Sequence, residues 1–333
     1  MKPGRSRKQI FHRQAAGRQA AGRQAAVRIF GTLLALALLV YLLSQQGWKE
    51  IATAIHQIPF WRLGLAMGLM LFSRVAVAAR WHILLQAGEY RIPFRQSLRI
   101  TFAGLFASNF LPTTIGGDVV RLAGAIQYKL DATTSTASLV VDRLVGMAGM
   151  AMMVPFSLPS LFNYRNATIQ GSTVKLALTA LPLGKWWQNV WKKMTSLGAK
   201  LYKASTLWLK HPTSLIVSLL YSWVHMLCLF FSLQLLLGGI GEYMPLWLIG
   251  GLYSLVYFVT LIPISVNGYG LQEISMTLIF SNFGKASMSD GLTIAILFRT
   301  LMLLASLPGA LSLPDILSKT ERNEPLIDTD PMA

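Results

Sequence analysis

Acidic residues are scarce in this sequence: 13 Asp and Glu stand against 30 Lys and Arg in 333 residues. Charge of both signs is low too, at 13% of residues, whereas soluble domains carry ~25%. That leaves too little polar surface to clothe a soluble core of this size. Cysteine occurs once, as Cys228 within an apolar run, which excludes intrachain disulfides and Cys-based zinc sites; the bland reading is a small buried hydrophobe. No Walker loop is present, so nucleotide-driven transport by this chain alone is not expected. His82 and His225 have neither an HExxH pattern nor paired carboxylates beside them and read as packed or headgroup-level side chains. No catalytic residue, metal or cofactor is expected, and no stretch is left over for a soluble catalytic domain.

What the sequence does contain is apolar residue, 53% of the chain. A bilayer core needs ~20 such residues per helix, and the clear candidates are 62–85, 137–162, 214–237, 246–262 and 292–313. The run 98–111 is shorter, while 113–135 and 264–290 are mixed and rich in Gly, Thr and Ser. A further run, 29–43, follows basic residues but has no small-residue cleavage site after it, and reads as an uncleaved first helix. The expected fold is therefore an all-α polytopic membrane protein of about seven to eight transmembrane helices with two broken or re-entrant elements.

The net charge of +17 resembles a nucleic-acid signal until it is mapped. Residues 1–28 and 163–211 hold eight Lys or Arg each and no acid. Short basic segments flanking apolar runs mark the cytoplasmic side, and retention at an anionic inner leaflet explains them without nucleic acid. The N-terminal tail repeats Gln14-Ala-Ala-Gly-Arg18, Gln19-Ala-Ala-Gly-Arg23 and Gln24-Ala-Ala-Val-Arg28, and is too polar to fold alone. Within 185–211, Lys185, Lys192, Lys193, Lys200, Lys203 and Lys210 alternate with Trp186, Trp187, Trp191, Tyr202 and Trp208. Lysines to water and indoles to headgroups describe an interfacial helix. Residues 314–333, with five acids and two bases, read as a disordered tail. The chain thus divides into a basic tail (1–28), a transmembrane domain (29–313) and an acidic tail.

An internal echo is the most informative feature. One copy reads Asn109-Phe-Leu-Pro112-Thr-Thr-Ile-Gly116-Gly117-Asp118-Val-Val-Arg121 and the other Leu261-Ile-Pro263-Ile-Ser-Val-Asn267-Gly268-Tyr-Gly270-Leu-Gln-Glu273. In both, an apolar helix ends in proline, a glycine follows five positions later, an acid comes next, and a span bearing an arginine (Arg143 or Arg299) lies beyond. Proline stops the incoming helix, glycine permits close approach, and the new helix opens with free N–H groups that favour an anion. Paired discontinuous helices at matching positions mark transport sites; the competing reading is two kinks at packing points. If both basic segments are cytoplasmic, four crossings separate them, beginning at Ile29, Arg62, Leu98 and Ala137. Crossings from Ser214 and Leu246 would follow, giving an inverted pair, seven spans and an external acidic tail; an eighth span at 174–183 would alter that count.

Ionisable groups at membrane depth cost ~2.5–3.5 kcal/mol on insertion scales and default to a functional reading. Arg74 falls mid-span, Arg80 is placed to snorkel, Asp142 and Arg143 lie inside one span and Arg299 inside the last, and Asp118, Arg121 and Glu273 flank the broken elements. Either these charges pair to hold helices together, or the arginines beside free helix N-termini receive a phosphate.

The stretches Arg80-Trp81…Leu84-Leu85, Asn109 to Arg121, Asp142-Arg143-Leu-Val-Gly146 and Ile262 to Glu273 resemble the flippase-like membrane region of lysylphosphatidylglycerol synthases, over about residues 80–313. The resemblance implies translocation of a lipid between leaflets: aminoacylated phosphatidylglycerol in the fused enzymes, other polar or isoprenoid lipids in stand-alone members. It places Pro112, Gly116, Gly117, Asp118, Arg121, Asp142, Arg143, Gly268, Gly270 and Glu273 at family motif positions. The aminoacyl-transferase domain of the full synthases is absent from this sequence, so lysyl transfer is not expected, and Gln272 stands where relatives often carry a basic residue. The expectation is a non-enzymatic lipid translocase in the cell (inner) membrane, N-terminus cytoplasmic. Lipid would be held by Asp118, Arg121, Asp142, Arg143, Glu273 and Arg299, beside broken elements built on Pro112, Gly116, Gly117, Pro263, Gly268 and Gly270. The alternatives are a non-catalytic partner of a separately encoded lipid-modifying enzyme, or an intramembrane lipid transferase.

Overall fold

A computed structural model describes residues 58–88, 92–109, 111, 116–160, 208, 210–262, 268–313 and 316. The expected first helix at 29–43, both tails, the 174–183 run, most of 185–211, and Pro112 and Pro263 lie outside the described residues. Among the described residues the chain is helical throughout: α1 (Phe60–Ala87), α2 (Phe94–Ser108), α3 (Gly116–Gln127), α4 (Ala132–Met153), α5 (Pro212–Gly239), α6 (Leu246–Thr260), α7 (Leu271–Gly284) and α8 (Met288–Ser306).

Local sequence sets the ends. Pro212 opens α5 at a first-turn position where its missing N–H costs nothing. Asp131 caps α4 by accepting from the Thr134 N–H at 2.8 Å, and that bond holds its carboxyl below the usual range. Ser287 caps α8 from the equivalent place, accepting from the Asp290 N–H at 3.0 Å. Pro155 and Pro308 tighten the ends of α4 and α8 into 3-10 turns, Val154–Ser157 and Leu307–Leu311.

Among the described residues four helices, counting the turns that extend α4 and α8, are long and apolar enough to cross a membrane: Phe60–Ala87, Ala132–Ser160, Pro212–Gly239 and Met288–Leu311. Their outer faces are apolar, as lipid requires; on α5 the exposed Ile216, Leu220, Leu227 and Phe231 recur at helical spacing. The expected crossings from Leu98 and Leu246 are corrected by packing. Helix α2 has 15 residues, ~22 Å at 1.5 Å per residue, short of a ~30 Å hydrocarbon core. It lies antiparallel to α3: a Cβ on Gly104 would meet Gly117 and Arg121, and one on Gly124 would meet Ile100. The chain therefore enters, breaks and returns to the face it came from. Helices α6 and α7 repeat this, with Thr260 near Gly268 at one end and Leu252 near Gly284 at the other. Both broken elements are re-entrant hairpins.

The two halves match element by element. Helix lengths run 28, 15, 12 and 22 residues in α1–α4 and 28, 15, 14 and 19 in α5–α8. Equivalent helices α1 and α5 pack antiparallel, through Ser232 Oγ to the Ala66 carbonyl (3.3 Å), Ser73 to His225 (2.7 Å) and Arg80 Nη1 to Ser222 Oγ (3.1 Å). Antiparallel packing of equivalent helices makes the repeat inverted, so the hairpins enter from opposite faces. Ser73 and His225 are each the fourteenth residue of their helix, so the pseudo-two-fold axis passes through their hydrogen bond. Helix α4 is antiparallel to α1, with Trp81 on Ser138 and Arg80 on Asp142, and parallel to α5, with Gly149 against Met226 and Leu215 near Ala137 and Val141. Consequently the chain leaves α4 on one face and enters α5 from the other. This overturns the expectation that the span from Ala137 ends on the side where the span from Arg62 ends.

One indole expected among headgroups is instead packed in protein: Trp208 is buried and donates Nε1 at 2.9 Å to the Leu84 carbonyl near the end of α1, which also accepts from the Gly88 N–H. Cys228 is buried, as expected.

Candidate functional site

Apart from Arg74, the charges at membrane depth form two clusters, one per half. Asp118 is the third residue of α3 and Glu273 the third of α7; Arg143 is the twelfth of α4 and Arg299 the twelfth of α8. In each half the hairpin acid pairs with the arginine of the following span: Asp118 Oδ2 accepts from Arg143 Nε, and Arg299 Nε lies 3.3 Å from Glu273 Oε1. The echo seen in the sequence is therefore an echo of one ion pair.

Around that shared pair the halves differ. In the first, Asp142 accepts from Arg80 Nε at 2.6 Å and from Arg121 Nη1 at 3.1 Å, and Arg121 Nη1 also reaches Asp118 Oδ1 at 3.3 Å. The result is an alternating relay, Arg80–Asp142–Arg121–Asp118–Arg143, three cations to two anions. Arg121 stacks over the fully buried Trp81 ring (4.5 Å), whose Nε1 donates to Ser138 Oγ at 3.1 Å. Its Nε and Nη2 are buried without a hydrogen-bond partner. Arg143 is more open, with 38% of its side chain accessible. Interior charge at one end and accessible charge at the other give the relay a direction.

In the second half, Arg299 donates Nη1 to Gln272 Oε1 at 2.6 Å and lies 4.1 Å above the Tyr269 ring. Glu273 is buried, and its Oε2 has no hydrogen-bond partner. The departure at Gln272 thus supplies an acceptor to the arginine instead of a third positive group.

Glycine builds both hairpins. A Cβ on Gly117 would come within 2.5 Å of the Gly104 carbonyl oxygen, so only a bare Cα lets α3 lie against α2 and bring Asp118 and Arg121 inward. Gly268 and Gly270 take φ of +72° and +75° at the start of α7, a region other residues enter at a cost. Asn109 finishes α2 by donating Nδ2 to the Leu105 and Phe106 carbonyls, and reaches Ser306 Oγ at 2.9 Å, tying the first hairpin to α8.

Every expected site residue outside the two prolines lies in one of these clusters or hairpins. One reading changes, that of Arg80, and that of the histidines narrows. Arg80 does not snorkel to headgroups; it is buried against Asp142. His82 and His225 are packed, on Ser97 Oγ at 2.9 Å and on Ser73. Sequence reading also missed two tyrosines of α6: Tyr253 lies within electrostatic range of Arg74 and Arg299, and Tyr257 within range of Arg143, Arg80 and Asp142. Uncharged tyrosines in an apolar run leave no charge signal; only their place between the clusters reveals them.

The chain is matched over residues 28–309 by the family model described as the lysylphosphatidylglycerol synthase TM region. No curated protein matches it at a significant level.

Proposed function

This chain belongs to the lysylphosphatidylglycerol synthase transmembrane-region family, and from that premise we propose that it carries a phosphate-bearing lipid between membrane leaflets. The observation that carries the reading is the equivalent pair, Asp118–Arg143 and Glu273–Arg299, on hairpins that enter from opposite faces. An inverted repeat with matched charged hairpins is the arrangement that rocking transporters use to expose one site alternately to either side. The lipid phosphate would lie at Arg121, Arg143 and Arg299, with Asp118, Asp142 and Glu273 orienting those arginines. Acyl chains would stay in the bilayer throughout. An intramembrane transferase is disfavoured because each of the three carboxylates already faces an arginine, leaving no poised base. A non-catalytic partner of a lipid-modifying enzyme would not need two matched buried pairs.

The charge distribution supports one orientation. Arg95, Arg99, Lys129 and Lys210 against Asp131 lie towards the face where α1 ends, while Arg62 and Lys285 against Glu242 and Asp290 lie towards the other. The positive excess supports an orientation with the end of α1 on the cytoplasmic side of a cell membrane. With a crossing at 29–43, that orientation would make the N-terminus cytoplasmic as well.

The test compares lipids of the outer leaflet with total lipids, in cells with and without the chain. The expected result is loss of one lipid class from the outer leaflet with its total unchanged. A fall in the total instead would assign the protein to synthesis. Arg143→Gln should lower leaflet transfer by about tenfold or more, the scale of one lost charged contact, with little change in thermal stability.

A further inference from the structure

Among the described residues, arginines outnumber acids at the centre of the molecule. Five arginines (Arg74, Arg80, Arg121, Arg143, Arg299) face three carboxylates (Asp118, Asp142, Glu273), and all three carboxylates are engaged by the last four arginines. Arg74, the fifteenth residue of the 28-residue α1, is 7% exposed. Its Nε is buried without a hydrogen-bond partner, and no carboxylate lies within ion-pair distance of it among the described residues. It adjoins Ser73, and therefore the pseudo-two-fold axis. The groups within its electrostatic range are Tyr253 and His225, which also sense Arg299, Arg80 and Asp142. The equivalent residue of α5 is Met226, so the charge belongs to one half only.

An isolated guanidinium at this depth is costly unless an anion meets it. Arg121 makes the same demand through its unpartnered Nε and Nη2. Arg121 is paired with Asp142 and Asp118 through Nη1 only; it and Arg74 belong to α3 and α1, which both pack on α4. The excess is two charges, enough for a phosphate that no ammonium of its own headgroup neutralises.

We propose that Arg74 is a binding residue for the cargo, and that the cargo is a lipid whose headgroup is net anionic, not zwitterionic or cationic. This rests on the translocase reading for the word cargo, but the binding it predicts does not require movement. A zwitterionic lipid would bring the same phosphate together with a cation into a centre that already has two too many. Of the two excess charges, an exposed phosphodiester with no cation of its own neutralises one, and a phosphomonoester up to both.

The experiment uses the purified full-length chain in nanodiscs of neutral lipid, titrated with phosphatidylglycerol or phosphatidylcholine and read by native mass spectrometry. Both probes present a phosphodiester and differ in whether choline neutralises it. The expected result is tighter binding of phosphatidylglycerol by about tenfold or more. Arg74→Gln should collapse that preference, Arg74→Lys should retain most of it, and the surface substitution Lys285→Gln should leave it unchanged. Equal binding of the two lipids by the unaltered chain would overturn the proposal without any variant, so a misfolded Arg74→Gln cannot shield it. Preference surviving Arg74→Gln in a folded protein would also overturn it. Millimolar inorganic phosphate should not displace the lipid; if it does, the site takes a free anion and the lipid assignment fails. Anionic preference without leaflet transfer would keep this inference and remove the translocase reading, whereas transfer without preference would do the reverse.

Discussion

Asp142 accepts from Arg80 and Arg121 through different oxygens and is almost fully buried. Replacing it by Asn keeps the shape and removes the charge that holds two interior guanidinium groups. Breaking a buried pair in this way costs about 3–5 kcal/mol, so Asp142→Asn should lower the thermal midpoint in detergent markedly. Arg143→Gln, at the accessible end of the same relay, should barely move it; equal losses for the two variants would contradict the relay's direction. Most of these residues were legible in the sequence, because a charge within an apolar run is conspicuous. Arg80 was misread because its place near the end of α1 suggested escape to the surface. What reverses that reading is a partner 62 positions away, Asp142, which spacing along one helix does not display.

At the scale of elements, proline, glycine and acid in series announced two broken helices, and both exist. That the runs from Leu98 and Leu246 turn back instead of crossing was partly legible, since 15 residues are too few for a bilayer core. The direction of return was not, because it depends on two glycines meeting across the hairpin. Gly104→Val and Gly117→Val should each push α3 from α2, at the ~1–3 kcal/mol typical of overpacking. Because Asp118 and Arg121 move with α3, binding of phosphatidylglycerol should fall more steeply than stability. Unchanged binding in a destabilised Gly117→Val variant would mean that the hairpin does not position the site.

For the whole molecule, the inverted repeat makes a prediction that no local contact makes. Single cysteines at Lys129, between α3 and α4, and at Glu242, between α5 and α6, in a Cys228→Ser background should react with impermeant maleimide from opposite sides of the membrane. Reaction from the same side would refute the inversion. The charge parity of the sequence had suggested an inverted pair, but by a different route through the bilayer. It counted α2 and α6 as crossings and had no means of knowing that α4 and α5 run in the same direction.

The hydrogen bond between Ser73 and His225 is also a mark of symmetry. Where two identical chains associate about a two-fold axis, a residue near the axis touches its own copy; here the fourteenth residue of α1 touches the fourteenth of α5. The molecule is thus arranged as a homodimer would be, with one chain supplying both halves. The surplus arginines of the first half have no counterpart in the second, so the two-fold symmetry governs the backbone and is broken by charge, and the two sides of the molecule cannot be interchangeable to an anion.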